Sequence, residues 1–210
     1  MTIINKIIKH FADYPIFTYN DVKLYLIMVK SNTKNLSRLI SYMRSKKMIY
    51  TIRKGVYTIN NNELVIGFAY SPFYYGLLSA LTIRDLWTQN SKLDIITIRK
   101  VRMSNANMFK DKNTIFFIHH IPAKYFFGID FIKYNKLNIP VSDPEKTLID
   151  LFYYKIKLSI QNYAGLLKVI DKKKLQKYLK FYDKHTKSTV LNFIRKYKKL
   201  ADSGKLESQY

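Results

Sequence analysis

Cations and hydroxyl groups recur at helical spacing between residues 34 and 45. With about 100° of rotation per residue, the apolar stripe of this segment centres on Leu36 and Met43. The side chains that point away from the stripe are Lys34, Ser37, Arg38, Ser41, Tyr42 and Ser45. Serine can hydrogen-bond to base edges or phosphates and arginine can bridge a guanine, so this face has the chemistry of a helix in a DNA major groove.

The alternative interpretation of this face is an ordinary solvated helix surface. Such surfaces usually mix glutamate with lysine, whereas residues 22–62 contain no acidic residue. The one-sided charge favours a nucleic-acid contact. We therefore expect the groove to be read by Lys34, Ser37, Arg38, Ser41 and Tyr42.

The helices that would position this face follow from local sequence patterns. Apolar residues at helical spacing predict a first helix over about residues 2–12. Thr18 followed by Asp21 predicts a capping box that opens a second helix near residues 19–29. Ser31 or Asn32 can cap the third helix, which carries the outward polar face.

A hairpin, MIYTIRKGVYTI, follows the third helix at residues 48–59. A two-residue tip at Lys54-Gly55 would place Ile52 opposite Tyr57 on one apolar face, with the threonines on the other. A three-residue loop beginning at Arg53 is the competing geometry, because lysine disfavours positive φ. Three helices and a hairpin within 60 residues have the order of a winged helix-turn-helix.

The tip of this hairpin carries two cations, Arg53 and Lys54. We expect both to contact phosphate or the adjacent minor groove, which would provide orientation and salt-dependent affinity and no sequence choice. The alternative is a hairpin that only closes the small core and leaves its tip in water.

The whole chain of 210 residues is strongly basic, with 37 Lys and Arg against 14 Asp and Glu and a net charge of +23. The excess lies at the two ends: residues 1–60 carry 11 basic and 2 acidic side chains, and residues 155–210 carry 15 and 4. Such fields attract nucleic acid first and anionic membrane surfaces second. A bias towards lysine, 30 Lys against 7 Arg, does not explain why glutamate fails to balance it.

Composition excludes several classes of protein and site. The chain has no cysteine, so disulfides and thiolate metal sites are absent. It has no apolar run near the ~20 residues of a membrane span, and its N-terminus is too polar for a secretory signal. We expect a cytoplasmic protein.

The pattern changes near residue 62. Ser71-Pro72 predicts a helix through about residue 86, with proline at the first helical position. Strands are predicted at DIITIRKV (94–101), TIFFIHHI (114–121), YFFGIDFI and KLNIPVS. Ser142 with Glu145 predicts a capping box for the next helix, and the chain reads as helical from about residue 160.

These elements predict an α/β (α+β) protein of two domains. Residues 1–61 would form a winged helix-turn-helix DNA-binding domain. Residues 62–210 would form a mixed α/β domain with a C-terminal helical bundle.

The segment D-P-E-K-T-L-I-D (143–150) raises the question of metal-dependent phosphoryl chemistry, which needs converging carboxylates. On a helix starting at Pro144, Glu145 and Asp150 diverge, while Lys146 and Asp150 can pair across one turn. In the strand pattern the adjacent histidines His119-His120 point to opposite faces. We predict no catalytic residue, no metal site and no cofactor, and therefore no enzyme.

Lysines are dense again between residues 172 and 199, and Lys174 lies among them. This second basic surface would comprise Lys173, Lys177, Lys180, Lys184 and Arg195. A second polyanion contact, a dock for an acidic partner and a solvated face all remain open interpretations.

Four segments together resemble the AbiEi antitoxin family of type IV abortive-infection toxin–antitoxin pairs. They are Lys54-Gly55-Val56-Tyr57, YGLLSAL at residues 75–81, D-P-E-K-T-L-I-D at 143–150 and Tyr163-Ala164-Gly165. The third is the most specific, and the resemblance covers nearly the whole chain. The chain departs from the family at Arg84-Asp85, where the family often has His-Gly.

The resemblance implies a repressor of its own operon that binds inverted repeats in the promoter and counters a nucleotidyltransferase-like toxin. A palindromic operator would call for a homodimer or for paired monomers. We therefore predict a sequence-specific DNA-binding autorepressor that acts as an antitoxin. The alternative is an antitoxin module that binds structured RNA or protein without operator recognition.

Overall fold

The first 58 residues form three helices and a small antiparallel sheet. The computed structural model describes residues 2–87, 92–101, 107–109, 114–134 and 136–203, with only the backbone described at 107–109. The elements are α1 (Ile3–Phe11), β1 (Phe17–Thr18), α2 (Tyr19–Met28), α3 (Leu36–Ser45), β2 (Tyr50–Arg53) and β3 (Val56–Thr58). The strands pair in the order β1-β3-β2. This is the predicted winged helix-turn-helix arrangement, with β2 and β3 as the wing.

The starts of α2 and α3 test the predicted helix caps. The Thr18 hydroxyl accepts the amide of Asp21 at 3.2 Å, and the Asp21 carboxylate accepts the amide of Thr18 at 2.6 Å, so this capping box is confirmed. The predicted cap of α3 at Ser31 or Asn32 is wrong, because α3 begins after Asn35. The Asn32 side chain instead accepts a backbone amide two residues on, which makes a local turn ahead of the helix.

The wing turns at Lys54-Gly55, as predicted for a two-residue tip. Gly55 takes a φ of 75°, the left-handed conformation that this turn needs. The predicted register is wrong by one residue, since Thr51 and not Ile52 lies opposite Tyr57. The register shifts between Thr51 and Arg53, a β-bulge that local alternation of residue types does not reveal.

Both faces of the wing are buried. Ile52 and Val56 belong to a cluster with residues of the second part of the chain, whereas Tyr57 packs with the helices of the first part. Thr58 is buried as well, and its hydroxyl donates to the carbonyl of Pro15 at 2.9 Å. The first part therefore shares apolar core with the second through its wing.

A six-stranded mixed sheet forms the centre of the second part. Its strands are β4 (Phe73–Tyr75), β5 (Lys92–Thr97), β6 (Asn107–Phe109), β7 (Thr114–His120), β8 (Ile129–Tyr134) and β9 (Leu137–Ser142). They pair in the order β6-β7-β5-β4-β9-β8. The pairs β5–β7 and β4–β9 are parallel and the remaining pairs are antiparallel. The predicted segments 114–121 and 136–142 match β7 and β9. The segments 94–101 and 125–132 are right only in part, because β5 ends at Thr97 and β8 begins at Ile129.

Residues 73–75 form a strand where the sequence predicts a helix from Ser71-Pro72 onward. β4 lies between β5 and β9, with Tyr75 opposite Val141 on β9. All three residues of β4 are buried, and the helix α4 spans only Leu77–Ile83. The prediction rested on a local proline signal, whereas pairing on both sides of β4 decided the conformation.

Helices cover one face of this sheet. Besides α4 they are α5 (Pro144–Tyr153), α6 (Ala164–Val169), α7 (Lys172–Leu179) and α8 (Lys184–Asp202). Tyr74 and Ile96 face these helices, whereas their neighbours Tyr75 and Ile95 face a 3-10 helix at Glu63–Tyr70 and the wing. The fold is thus mixed α/β, as predicted.

Four helices end on a residue other than glycine in the left-handed conformation. Lys30, Lys47, Asp85 and Lys155 follow α2, α3, α4 and α5, with φ between 53° and 56°. Each lies in a Schellman motif, in which the next amide donates to a carbonyl five residues back. Non-glycine residues are strained in this conformation, so each of these helix ends carries a local cost.

We expect Lys47→Gly to stabilise the protein, since glycine adopts the left-handed conformation at position 47 without strain. Relief of about 1–2 kcal/mol of strain, less about 0.4–1 kcal/mol that glycine costs through the freedom of the unfolded chain, should leave a gain of roughly 0.5–1 kcal/mol in the free energy of unfolding, measured by urea denaturation. Lys47→Ala is the matched control, because it removes the same charge but keeps the Cβ atom. An equal gain in both variants would assign the effect to charge and contradict the prediction.

Candidate nucleic-acid interface

The outer face of α3 carries four of the five predicted groove-reading residues, whereas the fifth, Lys34, lies in the turn before the helix, because α3 begins at Leu36. All five are exposed, and they are Lys34, Ser37, Arg38, Ser41 and Tyr42. On the opposite side Leu36, Ile40 and Met43 are buried against α1 and α2 in the core of the first part. The predicted division of α3 into a polar face and a buried stripe is confirmed.

Hydrogen bonds distinguish the serines of this face. Ser45 donates its hydroxyl to the carbonyl of Tyr42 at 2.8 Å, which satisfies it within the helix. Ser37 Oγ lies 3.1 Å from the hydroxyl of Tyr19, the first residue of α2. Tyr19 therefore joins this face, although sequence spacing along α3 could not include it. In the sequence, the one feature that could have indicated Tyr19 was its position directly after Thr18, the N-cap of α2.

The wing tip places its two cations in different environments. Lys54 is exposed at the turn. The Arg53 guanidinium is exposed too, but it lies 5.8 Å from the centre of the Tyr70 ring, in the second part of the chain. A cation over an aromatic face is attracted to the ring, so Arg53 has a fixed neighbour that the sequence did not indicate.

Charge on this side of the molecule is not neutralised by acids. The two acids of residues 1–60 are used elsewhere: Asp21 caps α2, and Asp13 lies 3.6 Å from Lys136. Among the described residues, no ion pair includes a cation of α3 or of the wing. These cations are therefore available to a polyanion.

The second basic surface lies on α7 and α8. All of its predicted members are exposed, and they are Lys173, Lys177, Lys180, Lys184 and Arg195. Lys174 does not belong to it, because its ammonium lies 3.0 Å from Asp143 and 3.2 Å from Glu145. Burial by itself lowers the pKa of Lys174, but its hydrogen bonds to these two carboxylates raise it above the ordinary value.

The acids of D-P-E-K-T-L-I-D join α5 to α7. Asp143 is the N-cap of α5, where it accepts the amide of Lys146 at 2.7 Å, so the predicted Ser142–Glu145 capping box is wrong. The other carboxylate oxygen of Asp143, which also pairs with the Lys174 ammonium, accepts the Tyr178 hydroxyl at 2.8 Å. Burial and this hydrogen bond raise the pKa of Tyr178 to about 12.

Glu145 hydrogen-bonds to the start of α7, unlike Asp150, which pairs with Lys146. Its carboxylate accepts the amide of Asp171, the N-cap of α7, at 2.7 Å. Asp171 in turn accepts the amides of Lys173 and Lys174. The Glu145 carboxylate therefore helps to hold the start of α7 against α5.

Lys146 and Asp150 form the predicted pair across one turn, but the pair is fully buried, which the sequence did not predict. The Tyr74 hydroxyl donates to Asp150 at 2.8 Å, and the Lys146 ammonium donates to the Tyr182 hydroxyl at 3.0 Å. Burial lowers the pKa of Lys146 and raises the pKa of Asp150, and each charge partly offsets the shift of the other. The network ties α5 to β4 and to the segment between α7 and α8.

The described residues show neither a metal-binding cluster nor a membrane-spanning helix. Within the described ranges, no group of three or more His, Asp or Glu side chains is placed to hold a metal ion. Over the same part of the chain, none of the helices has the length and apolar character that crossing a membrane requires.

Comparisons with known proteins bear on the fold alone. No protein-family model matches the chain, and no curated protein matches it. A solved structure, that of the RV2827C protein from Mycobacterium tuberculosis, is similar with a TM-score of 0.59 and 11% sequence identity. The match covers 90% of this chain and 76% of that one. The winged-helix and mixed-sheet architecture therefore recurs in a protein of very different sequence.

We expect Asp150→Asn to destabilise the protein by about 3–5 kcal/mol, because it leaves the Lys146 charge buried without its counter-charge. Urea denaturation followed by circular dichroism measures the change. The double variant Lys146→Met/Asp150→Leu should lose clearly less, since it removes both charges together. If the double variant loses as much unfolding free energy as its two single variants lose together, the pair is not coupled. Lys136→Met, at an exposed ion pair, should leave the unfolding free energy nearly unchanged.

Proposed function

We propose that this protein binds duplex DNA sequence-specifically through α3 and the wing. One observation carries the proposal: the exposed face of α3 holds cations, hydroxyls and one tyrosine, without an acid or an intramolecular ion pair among the described residues. One-sided positive charge does not stabilise a face that only contacts water, whereas it attracts a polyanion to that face.

In this proposal α3 lies in the major groove. Arg38 bridges a guanine, and Ser37 and Ser41 contact base edges or phosphates. Lys34 and the wing cation Lys54 hold phosphates on either side of the groove and set the register. Arg53, which lies 5.8 Å from the centre of the Tyr70 ring, contacts phosphate or the adjacent minor groove beside Lys54.

We further propose that the bound duplex is the promoter of its own gene and contains inverted repeats. The resemblance of D-P-E-K-T-L-I-D and the other segments to AbiEi antitoxins supports this proposal, together with action against a nucleotidyltransferase-like toxin in the cytoplasm. The second basic surface on α7 and α8 would add a further phosphate contact or a dock for an acidic partner.

The first test compares the duplex upstream of the gene with a scrambled duplex and with structured RNA of equal length. Neutralising ~6 phosphates should weaken binding to either duplex by about three orders of magnitude between 50 and 200 mM salt. A preference for the native duplex that survives at the higher salt supports operator recognition. Equal binding of both duplexes, or tighter binding of RNA, contradicts it.

Two single variants separate base reading from phosphate contact. Arg38→Ala should reduce the preference for the native duplex by about 1–3 kcal/mol, because a bidentate guanine contact is lost. Lys54→Ala should weaken binding to both duplexes alike and lower the salt slope by about one. The control Lys168→Ala, an exposed cation on α6, should change neither quantity. The assignment fails if Arg38→Ala weakens both duplexes equally.

A further inference from the structure

A cavity of about 710 Å³ lies between the C-terminal end of α5 and the first half of α8. Its walls comprise Leu151, Phe152, Tyr163, Thr189 and Phe193, and the irregular segment 155–158 completes it. Small-molecule sites in proteins usually have volumes of about 300–1,000 Å³. The cavity is separate from the α3 face, and neither the buried Lys146–Asp150 network nor the second basic surface contributes to its lining.

The interior of this cavity is aromatic. Three rings meet there: Phe193 lies 4.5 Å from Tyr163 and 5.0 Å from Phe152 between ring centres. Leu151 and Tyr163 are buried, whereas Phe152 and Phe193 keep part of their surface in contact with water. An apolar group that entered would remove this aromatic surface from water, which is favourable.

The rim of the cavity is cationic. Lys155 and Lys157 both line it, both are exposed, and neither has an ion-pair partner among the described residues. The acid that lines the cavity, Asp183, caps α8: one oxygen accepts the Thr186 amide at 2.9 Å and the other the Thr186 hydroxyl at 2.8 Å. Asp183 is therefore held by the start of its own helix but keeps its charge, and because two lysines face this one carboxylate the rim carries a net positive charge.

The backbone of α5 fixes the start of this rim. The amide of Lys155 donates to the carbonyl of Phe152 at 3.1 Å, and the amide of Ile156 donates to the carbonyl of Leu151 at 2.8 Å. Lys155 is thus held by the Schellman motif at the mouth of the cavity. The motif holds the backbone of Lys155, so its side chain starts from a fixed point and an anionic group at the mouth lies within its reach.

We propose that this cavity binds an amphipathic organic anion, with its apolar body against the three rings and its carboxylate, sulfonate or phosphate group at Lys155 and Lys157. Both an aromatic acid and a fatty-acyl carboxylate have this chemistry. The proposal is independent of DNA binding, because it concerns a different set of residues.

Isothermal titration of the full chain with 4-phenylbutyrate and with decanoate separates the two sources of ligand. Each is compared with its neutral alcohol and its amine of equal length. We expect at least one anion to bind with one-to-one stoichiometry, the alcohol to bind at least tenfold more weakly and the amine not to bind. No heat from either anion, or equal affinity for anion, alcohol and amine, would overturn the proposal.

Variants locate the site. Lys155→Gln/Lys157→Gln should weaken anion binding at least tenfold, to the level of the alcohol, without changing the circular dichroism spectrum. Lys9→Gln/Lys23→Gln removes two exposed cations of α1 and α2 and should leave the affinity unchanged. Thr189→Phe should fill the cavity and reduce binding of anion and alcohol alike. Equal losses in the two lysine pairs would mean that the net charge, and no particular site, attracts the anion.

Discussion

The second part of the protein depends on the buried pair of Lys146 and Asp150. Neither charge is in contact with water, so the pair is tolerable only if the remaining hydrogen-bonding capacity is satisfied. Tyr74 from the centre of the sheet and Tyr182 from beyond α7 provide those hydrogen bonds. The requirement to satisfy one ion pair therefore fixes the position of α5 relative to β4 and the C-terminal helices.

The same principle explains where the excess of positive charge appears. Asp21, Asp143, Asp171 and Asp183 accept backbone amides at the starts of helices, and Asp150 is buried. Acids used in this way interact with backbone dipoles, and of these five only Asp143 and Asp150 also lie within ion-pair distance of a lysine among the described residues. Apart from Lys174, the cations of α3, the wing, α7 and α8 consequently have no ion-pair partner among the described residues.

Local signals in the sequence predicted the elements whose conformation is decided within a few residues. The Thr18–Asp21 capping box, the apolar stripe of α3 and the turn at Gly55 all depend on neighbours close in the chain. The predicted α3 face also needed only helical periodicity. The prediction went wrong at β4 because strands distant in sequence pair with it on both sides. The caps of α3 and α5 and the wing register were wrong for local reasons: Asn35 and Asp143 precede the helices, and a bulge shifts β2.

The sequence by itself determined the mixed α/β class, the order of elements in the winged helix and which side of α3 faces outward, because periodicity and capping are local properties. Only the tertiary structure decided that Lys146–Asp150 is buried, that Lys174 is removed from the basic surface and that Tyr19 joins Ser37. Burial and partnership of a polar side chain depend on which distant elements pack around it. Spacing along one helix does not contain that information.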